Sequence, residues 1–297
     1  MKKSELKSSL ILILTAMIWG SGFVAQRLGM SAISPVFFNG FRSLIATVLL
    51  FFVALLADRK RGISEGFDKR TIKAGIFCGF ILFLAGNFQQ IGLVDTSAGK
   101  SGFITALYIV IVPVLSIFLK KKCTPYNWIG VVLAVIGLYF LCVTGNFGLR
   151  TSDLILLLGA LFWALHILFV DHFAKGLNGI KVSAVQFATS GVLSIAFAIP
   201  LEDMTIGGLG EAMPAILYCA IFSSGIAFTL QIIGQQMSNN PTVASVIMST
   251  ESLWAVVFGF IILGESLSSR ELIGCILMFA AIIIAQIPYK REDTNLP

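Results

Sequence analysis

Ten apolar runs of about twenty residues dominate the sequence, at 9–28, 36–57, 73–93, 98–119, 126–144, 152–171, 181–200, 212–233, 241–263 and 270–288. A helix of about 20 residues crosses the roughly 30 Å hydrocarbon core of a bilayer. Only helices and closed barrels satisfy their own backbone hydrogen bonds there. The chain is 57% hydrophobic and 12% charged, with a mean hydropathy of +0.93. A soluble domain of this composition would lack the polar surface to cover its core. The expected fold is therefore an all-α membrane protein of ten transmembrane helices, multi-pass in the cytoplasmic membrane of a prokaryote and surrounded by lipid.

Proline placement agrees with these runs. Pro35, Pro125 and Pro241 begin spans, and Pro200 and Pro288 end them, where a missing N–H costs least. Pro113 lies deep inside 98–119. It cannot donate to the Ile109 carbonyl, which predicts a kink there. The start, "MKKSELKSSLILILTAMIW", has the charge and hydropathy of a signal peptide, but no A-x-A site follows, so it is expected to stay as the first helix.

Ten crossings put both termini on one side of the membrane. Most of the 21 Lys and Arg fall at that N-terminus or in the loops at 58–73, 120–122, 175–181 and 289–291. The other side keeps Arg27, Lys100, Arg150 and Arg270. The positive-inside rule then places both termini in the cytoplasm. The net charge of +6 is accounted for by topology, and no nucleic-acid partner is expected. The five cysteines form neither a disulfide framework nor a CxxC site; no metal or other cofactor is expected.

The chain also repeats itself. "LILILTAMIW" (10–19) returns as "LILLLGALFW" (154–163), an offset of 144 that also aligns "IGVVL" (129–133) with "IGCIL" (273–277). At "QQIG" (89–92) and "QIIG" (231–234) the offset slips to 142. The two units are 8–144 and 152–288. Each holds five crossings, an odd number, so the second enters the membrane from the opposite side. Such inverted-topology repeats characterise many secondary transporters, with the substrate held between the repeats.

Several stretches carry a more specific likeness: "WGSGF" (19–23), "FR" (41–42), "TSAGKSGFITALYIVIVP" (96–113) and "STES" followed by "LGESLSSRELIG". Over residues 8–288 the chain resembles the drug/metabolite transporter superfamily, in its EamA-type branch of ten spans. The resemblance implies export of small metabolites, most often amino acids and related compounds. Two departures stand out. The family usually has Glu-Pro where this chain has Glu251-Ser252. Without the proline, the Met248 carbonyl is expected to keep its helical partner and span nine to bend less. "LKKKC" stands where the second repeat has "LGESL", which sets Lys121 opposite Glu265; Glu265, near a helix end, is given a structural role.

Polar groups inside the spans supply the candidate site, because ionisable residues at that depth face a bundle interior or a watery cavity. Glu251 is first among them, with Ser245 nearby in span nine. It is a contact for a substrate amine, or a coupling site for a proton or other ion, or else a buried counter-ion for a partner such as Arg42. Its repeat counterpart is Leu107, so the halves do not share this charge. Arg42 and Asn39 share a face of span two; Arg42 either forks onto a substrate carboxylate or snorkels outward. Asn87 and Gln90 share a face of span three, and Gln231 is the repeat partner of Gln89. Thr105 and Tyr108 follow Lys100 and Ser101 in span four, above Pro113. Trp19 and Trp163, paired by the repeat, are expected near the pseudo-two-fold axis, with His166 one turn beyond. The candidate substrate-binding set is Trp19, Asn39, Arg42, Asn87, Gln90, Thr105, Tyr108, Trp163, His166, Gln231, Ser245 and Glu251, twelve residues in all. Each also has a plain packing role open to it, and "GxxxG" at 75–79 is read as close helix packing.

No HExxH, GxSxG or P-loop occurs, which argues against hydrolysis by this chain. Gradient-driven transport by alternating access around a midplane cavity is the favoured reading. A passive channel or facilitator for a small polar solute is the alternative. Monomer and homodimer both remain open at this stage.

Overall fold

The computed structural model describes residues 3–61, 66–96, 98–121, 123–142, 150–202, 206–238, 240–263 and 268–287. Glu265 lies outside them. The helices are α1 (Lys3–Gly29), α2 (Pro35–Arg61), α3 (Lys69–Val94), α4 (Ala98–Ala106), α5 (Tyr108–Phe118), α6 (Pro125–Cys142) and α7 (Thr151–Phe173). They continue as α8 (Gly179–Leu201), α9 (Leu209–Tyr218), α10 (Phe228–Met237), α11 (Pro241–Met248), α12 (Glu251–Leu263) and α13 (Ser269–Ala285). A π-helical stretch, Cys219–Ala227, joins α9 to α10. These segments make ten crossings, with α4–α5, α9–α10 and α11–α12 each forming one interrupted crossing. Seven crossings are long and apolar enough to span a membrane by length and composition alone, and the Pro125–Phe140 helix is a shorter apolar one.

The distribution of polarity is that of a membrane protein. Gln90, Gln186, His166 and Ser183 are fully buried, while Phe52, Leu56, Val192 and Ile276 are exposed. The protein is integral and multi-pass.

Side-chain packing carries the pseudo-two-fold of the inverted repeat. A Cβ on Gly130 would lie 3.0 Å from the Ala281 carbonyl oxygen, and one on Gly137 would lie 3.0 Å from the Gly274 carbonyl oxygen. The 144 offset maps the first contact onto the second. A Cβ on Gly92 would lie 2.6 Å from Leu156, and one on Gly234 would lie 2.8 Å from Leu12. Here the glycines are related by 142 and the leucines by 144, as the slip in the sequence requires. Gly75 and Gly79 seat α3 on Val185, Gln186 and Thr189 of α8, so that GxxxG is a packing face.

The helix pair α2–α8 is pinned at both ends. Lys181 Nζ pairs with Asp58 at 2.8 Å. At the other end Glu202 accepts from the Val36 and Phe37 backbone N–H groups, both at 2.9 Å. These N–H groups open α2 and have no carbonyl of their own helix to bond. Glu202→Ala is expected to cost about 1 kcal/mol, seen as a lower melting temperature in detergent. An unchanged melting temperature would remove this cap from the account.

Span four has an interruption that the sequence did not point to, and one expectation about span nine needs correction. In span four the interruption falls at Leu107, and α5 runs on through Pro113. Leu107 N–H bonds the Ile104 carbonyl, and Val110 N–H bonds that of Leu107, so the chain tightens to three-residue hydrogen bonding at that point. In span nine the helix does break, at Ser249 and Thr250, without any proline. Ser249 and Thr250 turn their hydroxyls back onto the Val246 and Ile247 carbonyls at 2.8 and 2.6 Å. Hydroxyls that bond back in this way compete with the helix ladder. Thr250 N–H therefore moves to the Ile247 carbonyl, and Ser252 N–H moves from the Met248 carbonyl to that of Ser249. The two breaks occupy corresponding places in the two repeats, which is where transporters of this architecture put their binding sites.

Candidate functional site

A buried cavity lies between the two breaks. Helix α1 supplies Trp19, Phe23 and Gln26, which recur at helical spacing on one face; α2 supplies Arg42 and α3 supplies Gln89. Thr105, Tyr108 and Glu251 come from the broken crossings. Trp163 and Ile167 of α7, Ser223 of the π-helical stretch, and Phe228 and Gln231 of α10 complete the wall. Measured by the centres of the water-sized molecules it admits, the cavity is about 40 Å³, room for a few waters.

Its two charges are held in different ways. Glu251 is the first residue of α12, where the helix dipole favours a carboxylate. Tyr108 faces it from α5, and the α1 backbone presses on it at Gly20. Arg42 is fixed from behind. Its Nε donates to Asn39 Oδ1 at 2.8 Å, Asn39 Nδ2 to Asn87 Oδ1 at 3.2 Å, and Asn87 Nδ2 to Ser194 Oγ at 2.8 Å. The terminal amino groups of Arg42 have no oxygen partner among the described residues. Arg42 is 9% exposed, so it does not snorkel outward. Among the described residues no ion pair joins Arg42 to Glu251, which corrects the counter-ion reading. Each charge reaches the cavity with capacity to bind something else.

The aromatic wall sits on the pseudo-two-fold. Trp19 and Trp163 stand 6.5 Å apart between ring centres, and Phe228 lies 4.8 and 5.9 Å from them. Trp163 Nε1 donates to Gln89 Oε1 at 3.1 Å.

Of the twelve candidate residues, Trp19, Arg42, Thr105, Tyr108, Trp163, Gln231 and Glu251 line the cavity. Five stand behind it. Asn39 and Asn87 position Arg42. His166 meets Gln186 at 3.2 Å and packs behind Trp163 and Phe228. Ser245 donates to the Thr242 carbonyl at 2.8 Å, and Gln90 is fully buried away from the cavity. The candidate set omitted Phe23, Gln26, Gln89, Ile167, Ser223 and Phe228. The repeat already pointed to Gln89, since it pairs with Gln231. Phe23 and Gln26 follow Trp19 by four and seven residues, a pattern that marks one helix face. Among the described residues no three His, Cys, Asp or Glu side chains come together to hold a metal ion.

Broken crossings at corresponding places and a cavity on the axis between repeats are transporter features. The model of the EamA-like transporter family matches residues 6–143 and again residues 150–286, one match in each half. The chain belongs to the EamA-like transporter family. It is 31% identical over 288 residues to an uncharacterized transporter of Archaeoglobus fulgidus, covering 95% of this chain and 87% of that one. It is 25% identical over 275 residues to the uncharacterized inner membrane transporter YedA of Escherichia coli K12, covering 90% of this chain and 87% of that one. A solved crystal structure, 19% identical, has the same fold with a TM-score of 0.78 over 94% of this chain and 96% of that one. The family and these relatives carry the names of transporters.

Proposed function

We propose that the chain is a secondary transporter that exports small zwitterionic metabolites, amino acids or close relatives, by alternating access around the central cavity. One observation carries the reading. A forked cation and a carboxylate border the same buried cavity without pairing with each other. Arg42, oriented by Asn39, takes the substrate carboxylate in a forked contact. Glu251 takes the ammonium, and Trp19, Trp163 and Phe228 close around the side chain. Glu251 also binds the coupling proton or cation when the substrate is gone. The two five-helix halves rock about the axis marked by the two tryptophans, with both termini in the cytoplasm of a prokaryotic cell.

The test is a melting-temperature screen of the purified protein against a panel of amino acids, then counterflow in vesicles with the ligands found. The expected result is stabilisation by zwitterions and saturable counterflow, with stabilisation lost in Arg42→Lys. A flux that never saturates points to a channel and sinks the transporter mechanism. Stabilisation only by compounds lacking a carboxylate sinks the role of Arg42.

A further inference from the structure

A second cavity lies at the end of the bundle that carries Lys121 and Lys175. Lys121, Asp171, Lys175, Gln235, Gln236 and Ser238 supply its polar walls. Measured as for the central cavity, it is about 340 Å³. It has room for a molecule of amino-acid size.

The two cavities are one helical turn apart on two helices. On α10, Gln231 lines the first and Gln235 the second. On α7, Ile167 lines the first and Asp171 the second. Residues four apart stack along one helix face. A hydrogen bond crosses the layer between, from Gln235 Nε2 to the Ile167 carbonyl at 3.0 Å. That bond leaves Gln235 Oε1 free: it is buried without a partner, as is Gln231 Oε1, and the two residues are 2% and 1% exposed. Unpartnered acceptors at this burial are costly, and these two border one cavity each.

The charge of the outer cavity is lopsided. Lys121 pairs with Asp171, and Lys175 lies near enough to act electrostatically on Lys121. Among the described residues of the walls, two ammonium groups face one carboxylate, an excess of one positive charge.

We propose that this basin is a second binding site, which takes the anionic end of the transported molecule at Lys175 and Lys121 and passes it to the central cavity along Gln235 and Gln231. The substrate carboxylate rests on the lysines, Gln235 stands at the inner end of the basin, and Arg42 receives the carboxylate further in. The identity of that molecule rests on the zwitterion reading above; the selectivity of the basin for anions does not.

The experiment places a thiol in the basin and asks which charge reaches it. Gln235→Cys, in a chain carrying Cys123→Ser, is treated with an anionic sulfonatoethyl and a cationic aminoethyl methanethiosulfonate. Rates are normalised to reaction with a free thiol. The anionic reagent is expected to react about tenfold faster, the lower end of the enhancement given by a cleft of one charge sign. Lys175→Gln should remove most of that preference. Equal rates for the two reagents, or a preference untouched by Lys175→Gln, overturns the proposal. So does failure of both reagents to react with Gln235→Cys and with Ser238→Cys, a second probe in case the first does not fold. The readout needs no transport. Anion preference without zwitterion counterflow overturns the function and leaves the basin standing, and the reverse result overturns the basin alone.

Discussion

Glu251→Gln is expected to lower saturable zwitterion transport by roughly ten- to a hundredfold and to leave the melting temperature unchanged or slightly raised. The sign on stability follows from the surroundings of the carboxylate. Glu251 is 7% exposed, and among the described residues no cation pairs with it. Burying an unpaired charge is unfavourable, and a neutral amide of the same shape relieves that cost. The loss of transport follows from the contact given up. A hydrogen bond to a charged group contributes about 1.5–3 kcal/mol, and each 1.4 kcal/mol is tenfold in affinity. A structural counter-ion gives the opposite pattern, because breaking a buried pair costs about 3–5 kcal/mol. A large fall in melting temperature with transport intact in the surviving protein therefore defeats the site assignment. Melting curves and counterflow on one preparation separate the two.

The scaffold was legible for a physical reason. A bilayer requires long apolar helices, so span number, and the inversion that follows from five spans per repeat, can be read without knowing how any helix is rotated. Once the structure shows Gly130 against the Ala281 carbonyl, the 144 offset returns its counterpart, Gly137 against that of Gly274. Rotation and local breaks were harder. Asn87 and Gln90 look equally suited to a cavity in sequence, yet Asn87 bonds to Asn39 and Ser194, and Gln90 is buried outside the cavity lining. The break in span nine was missed because proline was taken as its cause. The competing hydroxyls of Ser249 and Thr250 were visible in "STES", but their rotamers decide whether they bond back, and sequence does not set those. The second cavity was not anticipated. It depends on Lys121 and Lys175, two loop lysines that the charge count assigned to topology alone.

Gly20→Ala is expected to be a damaging single-methyl change at the contact between α1 and α12. The added Cβ would lie 2.7 Å from the Glu251 carbonyl oxygen, 2.7 Å from Trp254 Cβ and 2.8 Å from the Ala255 nitrogen. Comfortable carbon contacts begin near 3.5 Å, so the methyl fits only if α1 and α12 move apart. Two of the three obstructing atoms are backbone and cannot rotate aside. Overpacking of this kind typically costs about 1–3 kcal/mol, and here the strain falls on the residue that begins α12 and on Trp19, the neighbour of Gly20. Transport should therefore fall further than the loss of folded protein explains. Gly22→Ala is the control from the same motif. Its methyl would meet Ser223 at 3.7 Å, an ordinary contact, and should leave melting temperature and transport near wild type. Equal melting temperatures for Gly20→Ala and Gly22→Ala would show that α1 does not bear on α12 at Glu251, and the cavity would then need another wall.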